Sequence, residues 1–337
     1  MSTTPPVLPD RRRGAWSSRV VLGLFAASIV LAMVGAGALY FGYLRYERAA
    51  ARHLPRDTEL AFRVDLEKVV LFEPFRRHLL PLFEELGKRP GSKLRQRIER
   101  LEHHTGIELG VDLREVVLAR RGPGQWLALL GGLFRDDGVL AGVAATAGEE
   151  GVTCSLSPDQ TVLGCPGLWV GRAADGVFVL ASSEASVRGA LTPSDVYVRL
   201  GLPLEGPGGF AVGAGPLRAL SKSPDARQAP FPLLVNVTSL RGNLELGQPV
   251  TVRARATLAR AVSGDAKRAQ ADRLVSTLRG VAAEFGLAEL AASVEASSPG
   301  GGEIGLTGRW DLADIDRAAA RVASLLASGA SGAVSMP

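Results

Sequence analysis

The sequence predicts an α+β protein held by a single N-terminal transmembrane helix, with antiparallel sheets, helices packed on one face, and duplicated units of ferredoxin-like or ββα type. Three observations lead there. Residues 20–44 contain no Asp, Glu, Lys, Arg or His. Beyond residue 56 the apolar pattern alternates between strand and helix periods, punctuated by Gly/Pro turns. The order strand, turn, strand, Asp-led helix occurs twice.

The charge-free run is 25 residues long. As a helix it extends about 37 Å, enough for a hydrocarbon core of about 30 Å with some tilt. Twelve of its residues are Leu, Ile, Val or Phe. At roughly −0.3 to −0.6 kcal/mol each they favour insertion by about 4–7 kcal/mol, with no charge opposing. Trp16 precedes the run, and Tyr40, Tyr43 and Tyr46 mark its far end, as interfacial aromatics do. Ala36-Gly37-Ala38 offers a signal-peptidase pattern, so a cleaved signal peptide is the competing reading; the apolar run continues through Leu39, Phe41 and Leu44, which favours a retained anchor. Ser28, Ala32 and Ala36 form a small-residue face that permits helix pairing into a homodimer. Arg11, Arg12, Arg13 and Arg19 precede the helix and Arg45, Arg48, Arg52 and Arg56 follow it, a tie under the positive-inside rule. Length breaks the tie: a short tail, 1–19, stays in the cytoplasm, and the long remainder is placed outside a bacterial cytoplasmic membrane.

The basic balance resides in the N-terminal part. Residues 1–56 hold eight Arg against Asp10 and Glu47, leaving 31 basic and 32 acidic residues in 57–337. Nothing in that balance asks for nucleic acid. Only five basic residues are Lys, a bias of GC-rich bacterial coding.

After a juxtamembrane segment, 45–56, the chain divides into an α+β domain over 57–220, a Ser/Pro-rich linker over 221–232, a second α+β domain over 233–327 and a flexible tail over 328–337. In the first domain the order is strand Thr58–Val64, helices Leu66–Leu86 and Lys93–His104, strands Leu113–Ala119 and Gln125–Phe134, helix Asp136–Ala147 and strand Gly151–Leu156. That is the β-α-β-β-α-β order of a ferredoxin-like unit. Leu168–Arg172 and Val177–Ser182 flank Asp175-Gly176, a tight-turn pair, and Glu184–Leu191 reads as a helix. In the second domain come strand Val250–Leu258, helix Asp265–Phe285, strands Leu287–Val294 and Glu303–Trp310, and helix Asp311–Ala327. The segments from Asp112 and from Leu287 share one pattern, with Asp136 and Asp311 as helix N-cap or first-turn residues.

Leu54-Pro55-Arg56-Asp57-Thr58 just after an anchor, followed by Thr105-Gly106-Ile107-Glu108-Leu109, resembles a broad group of uncharacterised exported bacterial proteins with a Leu-Pro-x-Asp-Thr start. Here Glu108 stands where the group has Asp. The resemblance covers the first third of the chain and implies architecture without chemistry.

The chain contains no P-loop, nucleophile elbow, zinc-protease or EF-hand motif. Glu99 and His103, four apart on one helical face with Glu102 adjacent, give half a metal site; a solvated helix face explains them better. The basic stretch of Lys88, Arg89, Lys93, Arg95, Arg97 and Arg100 is diluted by Glu99 and Glu102. Trp126, Trp169 and Trp310 fall on strands and read as core. No catalytic, cofactor-binding or metal-ligating residue is assigned. Cys154 and Cys165, the only cysteines, are expected to pair: a turn centred on Asp159-Gln160 places 155 opposite 164 and 154 opposite 165. The resulting reading is a non-enzymatic envelope protein that binds or supports an unidentified protein partner or assembly. The alternative is an envelope hydrolase with an unrecognised site, which the absence of a nucleophile–base cluster disfavours.

Overall fold

The computed structural model describes residues 46–81, 93–134, 138–222, 236–259, 264–284, 287–300 and 302–332. The expected anchor, 20–44, and its Ser28/Ala32/Ala36 face lie outside them. Among the described residues no helix is long and apolar enough to cross a membrane.

The chain from Arg48 onward is one compact unit. Its strands are β1 (Leu60–Asp65), β2 (Leu113–Gly122), β3 (Gln125–Gly132), β4 (Ser155–Leu156), β5 (Val162–Cys165), β6 (Leu168–Arg172), β7 (Phe178–Ala181), β8 (Gly208–Gly213), β9 (Val237–Glu245), β10 (Val250–Leu258), β11 (Glu295–Ser297) and β12 (Glu303–Trp310). They form a single twelve-stranded sheet in the order β11-β12-β10-β9-β8-β1-β2-β3-β7-β6-β5-β4. The helices are α1 (Leu66–Leu71), α2 (Lys93–Thr105), α3 (Leu109–Asp112), α4 (Val139–Glu149), α5 (Glu184–Ala190), α6 (Val196–Leu200), α7 (Ala214–Lys222), α8 (Gly264–Glu284), α9 (Ala288–Ala292) and α10 (Leu312–Gly332), with a 3-10 turn at Ala50–His53 and a π-type turn at Phe75–Leu79.

The mixed α+β class with antiparallel pairing is present, and three finer expectations are corrected. The ferredoxin-like unit does not form: β1 pairs antiparallel with β2 and β8, and β4 pairs only with β5 at the far edge. Helices pack on both faces of the sheet. One face carries Ala61, Val117, Ala119, Leu127, Leu129, Val179 and Ala211 under Ala50, Ala51 and Leu54, under Val187 and Ala190 of α5, and under Val196 of α6. The other carries Val212, Ala256, Ile304 and Leu306 under Ala271 and Val275 of α8, and Leu163 and Val170 near Leu140 of α4. The reason lies in strands such as β5, whose neighbouring Val162 and Leu163 point to opposite faces and are both buried, each under its own cluster. Third, Leu287–Val294 is not a strand. Ala288-Glu289-Leu290-Ala291-Ala292 are good helix formers and make α9, leaving only Glu295–Ser297 to pair with β12. The ββα order therefore recurs in outline, with a first strand of three residues in its second occurrence.

The long helix expected over Leu66–Leu86 stops early. Phe72 turns to extended backbone two residues before Pro74, which has no N–H to continue the ladder. Sheet pairing runs through β8 and β9, on either side of the segment read as a linker. The helix expected to end at Ala327 continues to Gly332, each added residue gaining a hydrogen bond once the helix exists.

Candidate functional site

The residues that carry the sequence resemblance build structure. Thr105 Oγ1 donates to Leu101 O at 2.6 Å, Gly106 takes φ +66° and donates to Glu102 O, and Ile107 is buried. That is a left-handed helix stop followed by an apolar plug. Leu54 is fully buried, Thr58 Oγ1 donates to Pro55 O at 2.8 Å, and Asp57 accepts from Nε and Nη2 of Arg121, one edge of the guanidinium, at 2.7 and 2.6 Å. The Arg121 hydrogen bond lowers the Asp57 carboxyl below the ordinary range.

The segment after the expected anchor is fastened to the sheet. Arg48 Nε donates to Asp65 at 2.9 Å, and the Ala50 N–H donates to Glu115 Oε2 at 3.1 Å. Glu115 is itself 1 % exposed and paired with the buried guanidinium of Arg63. His53 is fully buried, with Nδ1 2.7 Å from Ala190 O and Nε2 2.8 Å from Asp175 Oδ2. His53 and Glu115 are thereby satisfied within the fold, whereas Arg63 Nη2 is buried with no hydrogen-bond partner among the described residues.

The cysteines form the expected disulfide, Cys154–Cys165, with Cα atoms 4.4 Å apart. The expected register holds as well: Ser155 lies opposite Gly164 and Leu156 opposite Leu163. Gln160 supplies the turn with φ +55°. Ser157 Oγ and the Thr161 N–H both donate to Asp159, which depresses its carboxyl, with Arg188 adding to the effect.

The helical His and Glu do not converge on a metal geometry. His104 pairs with Glu149 at 2.8 Å, Glu99 with Arg95, and Arg97 and Arg100 with Glu150. Among the described residues no group of three or more His, Cys, Asp or Glu lies close enough to hold a metal ion. Lys88 and Arg89 lie outside the described residues. Of the tryptophans, Trp169 packs at the core edge and Trp310 Nε1 donates to Leu290 O at 2.7 Å. Trp126 corrects its reading as core, being 45 % exposed.

Trp126 belongs to the feature that stands out. Following the register across the second face gives a row Leu306, Ala254, Gly242, Phe210, Phe62, Leu118, Ala128, Leu180. The start of this row is covered by α8, and beyond Leu180 the neighbouring strand's Val170 is packed against the α4 cluster. Between them no described element covers the sheet: Phe62 is 43 % exposed, Leu118 52 % and Val64 36 %. Phe62 and Phe210 stack with centroids 6.3 Å apart. Gly242 makes room for Phe210, since a Cβ there would sit 2.6 Å from its ring. An apolar strip in mid-sheet, left uncovered between two helix layers, is the kind of surface that associates with another molecule. Sequence alternation marks these residues as one face, but not that the helices stop short of them.

No family model and no curated protein matches the chain. Among solved structures it is similar to crystal form III of TP0453, with TM-score 0.45 and 9% identity over 83% of this chain and 98% of that one. It is also similar to crystal form I of the same protein, with TM-score 0.42, 9% identity and coverage of 83% and 96%. A likeness this remote carries no argument about activity.

Proposed function

We propose that this chain is a single-pass membrane protein of the bacterial envelope, without enzymatic activity, whose α+β domain stands outside the cytoplasm and docks a protein partner on its bare sheet strip. The observation that carries the reading is the strip itself: Phe62, Leu118 and Trp126 are large, apolar and contiguous by register, yet substantially exposed. Aromatic and aliphatic side chains clustered at the centre of a surface are typical anchors of protein interfaces. The membrane placement rests on the charge-free run 20–44. The Cys154–Cys165 bond supports an oxidising compartment.

A photo-crosslinking amino acid placed at Leu118 in the native membrane tests the docking. A discrete adduct is expected from position 118 and none from Arg253, which lies on the polar opposite face of β10. Equal labelling from both positions, or none from 118, sinks the docking surface. The compartment is tested separately, by titrating thiols in denatured, unreduced protein from its native membrane. Two free thiols per chain would contradict an external domain.

A further inference from the structure

Away from the strip, the second face holds an apolar cavity of about 310 Å³ at the end of the sheet where β9 turns into β10. Phe72 and Phe75, from the broken helix after β1, form one wall. Leu244 and Val250 form the floor, and Ile315 and Val322 of α10 close the far side. Every side chain lining it is aliphatic, aromatic or proline, so water inside finds no hydrogen-bond partner. At roughly 30 Å³ per heavy atom, as for a liquid water, the space takes about ten methylenes of one chain. Small-molecule sites run from about 300 Å³ upward.

A polar cavity adjoins it. Leu287, Leu290 and Ala318 line both, and the second adds Glu289, Asp314, Arg317 and Arg321. The charges there are unequally matched. Arg317 is held by Asp314 at 2.6 Å and Glu289 at 3.3 Å. Arg321, one turn further along α10, has no ion pair among the described residues. An apolar pocket sized for one hydrocarbon chain, lying next to the Arg321 guanidinium, fits an amphiphile with an anionic end.

We infer that this cavity binds a single-chain anionic amphiphile, a fatty acid or an alkyl phosphate, with the hydrocarbon between α10 and the β9–β10 hairpin and the anionic group at Arg321. The inference is independent of the strip on β1–β3. The test uses the full-length protein in phosphatidylcholine nanodiscs with dansyl-undecanoic acid as probe, empty nanodiscs subtracted. Saturable binding is expected, displaced by dodecanoate or dodecyl phosphate at least tenfold more effectively than by dodecanol. The better competitor of the two acids identifies the headgroup. Ala319→Trp, which fills the cavity, should weaken probe binding at least tenfold. Arg321→Gln changes only an exposed side chain; it should weaken the acids several-fold and leave dodecanol unchanged. Absence of saturable binding overturns the inference, as does equal displacement by dodecanol or unchanged binding in folded Ala319→Trp. Should Ala319→Trp fail to fold, an Arg321→Gln variant with undiminished acid affinity overturns it alone.

Discussion

His53 and Glu115 carry stability without chemistry, and both are testable at the level of one side chain. His53→Ala removes two hydrogen bonds from a fully buried site and leaves a void. The expected loss is about 2–4 kcal/mol, against about 0.5 kcal/mol or less for the exposed His103→Ala, read by urea denaturation. Glu115→Ala leaves the Arg63 guanidinium charged in the interior; breaking such a pair costs about 3–5 kcal/mol. Asp57 gives the pH dependence. Its folded carboxyl titrates below the unfolded one, so its contribution is fully present above the ordinary carboxylate range and is lost as pH falls through the depressed value. The wild type should therefore be more stable than Asp57→Asn at neutral pH, and the difference should shrink below about pH 4. A constant difference down to pH 2 would count against the Asp57–Arg121 pair as its source. Of these residues the sequence flagged Asp57 as part of a motif. It gave no hint of His53 or Glu115, because their partners Ala190, Asp175 and Arg63 lie 137, 122 and 52 residues away.

At the scale of elements, short-range chemistry was legible. The Ser157-Pro158-Asp159-Gln160 turn set the register that brings Cys154 to Cys165, and Asp175-Gly176 set the β6–β7 hairpin, with Gly176 at φ +88°. Val250–Leu258 and Glu303–Trp310 are strands at the bounds their alternation gives. Asp311 accepts from the Asp314 N–H at 2.9 Å, as an N-cap should. Reducing the disulfide, or replacing both cysteines by Ser, should cost roughly 3 kcal/mol for a loop of this length, read as a lowered urea midpoint. An unchanged midpoint would show that β4–β5 contributes nothing to the cooperative unit. Two elements were illegible for opposite reasons. Gly208-Gly209 at the start of β8 carry little strand propensity, yet pairing with β1 and β9 on both sides overrides it. Leu287–Val294, placed before a Gly/Pro turn, reads as a strand, although its own composition favours helix.

At the scale of the molecule, the twelve strands make one sheet while the apolar side chains gather in separate clusters on its two faces. A fragment ending at Lys222 would leave β8 as a bare edge beside the exposed strip. It should aggregate or lose cooperative unfolding, where a chain with a true boundary at 221–232 would yield two folded fragments; sedimentation and denaturant melts of 46–222 decide between them. What the sequence determined by itself was the α+β class, most strands and helices, and the cysteine pairing. Each depends on periodicity or on neighbours within about a dozen residues. Strand order, the sharing of helices between both faces, the bare strip at Phe62, Leu118 and Trp126, and the cavity against α10 were decided only by tertiary structure. Their physical reason is common: each is set by which distant segments compete to cover the same apolar surface, and a local pattern shows that a face must be buried without showing which segment buries it.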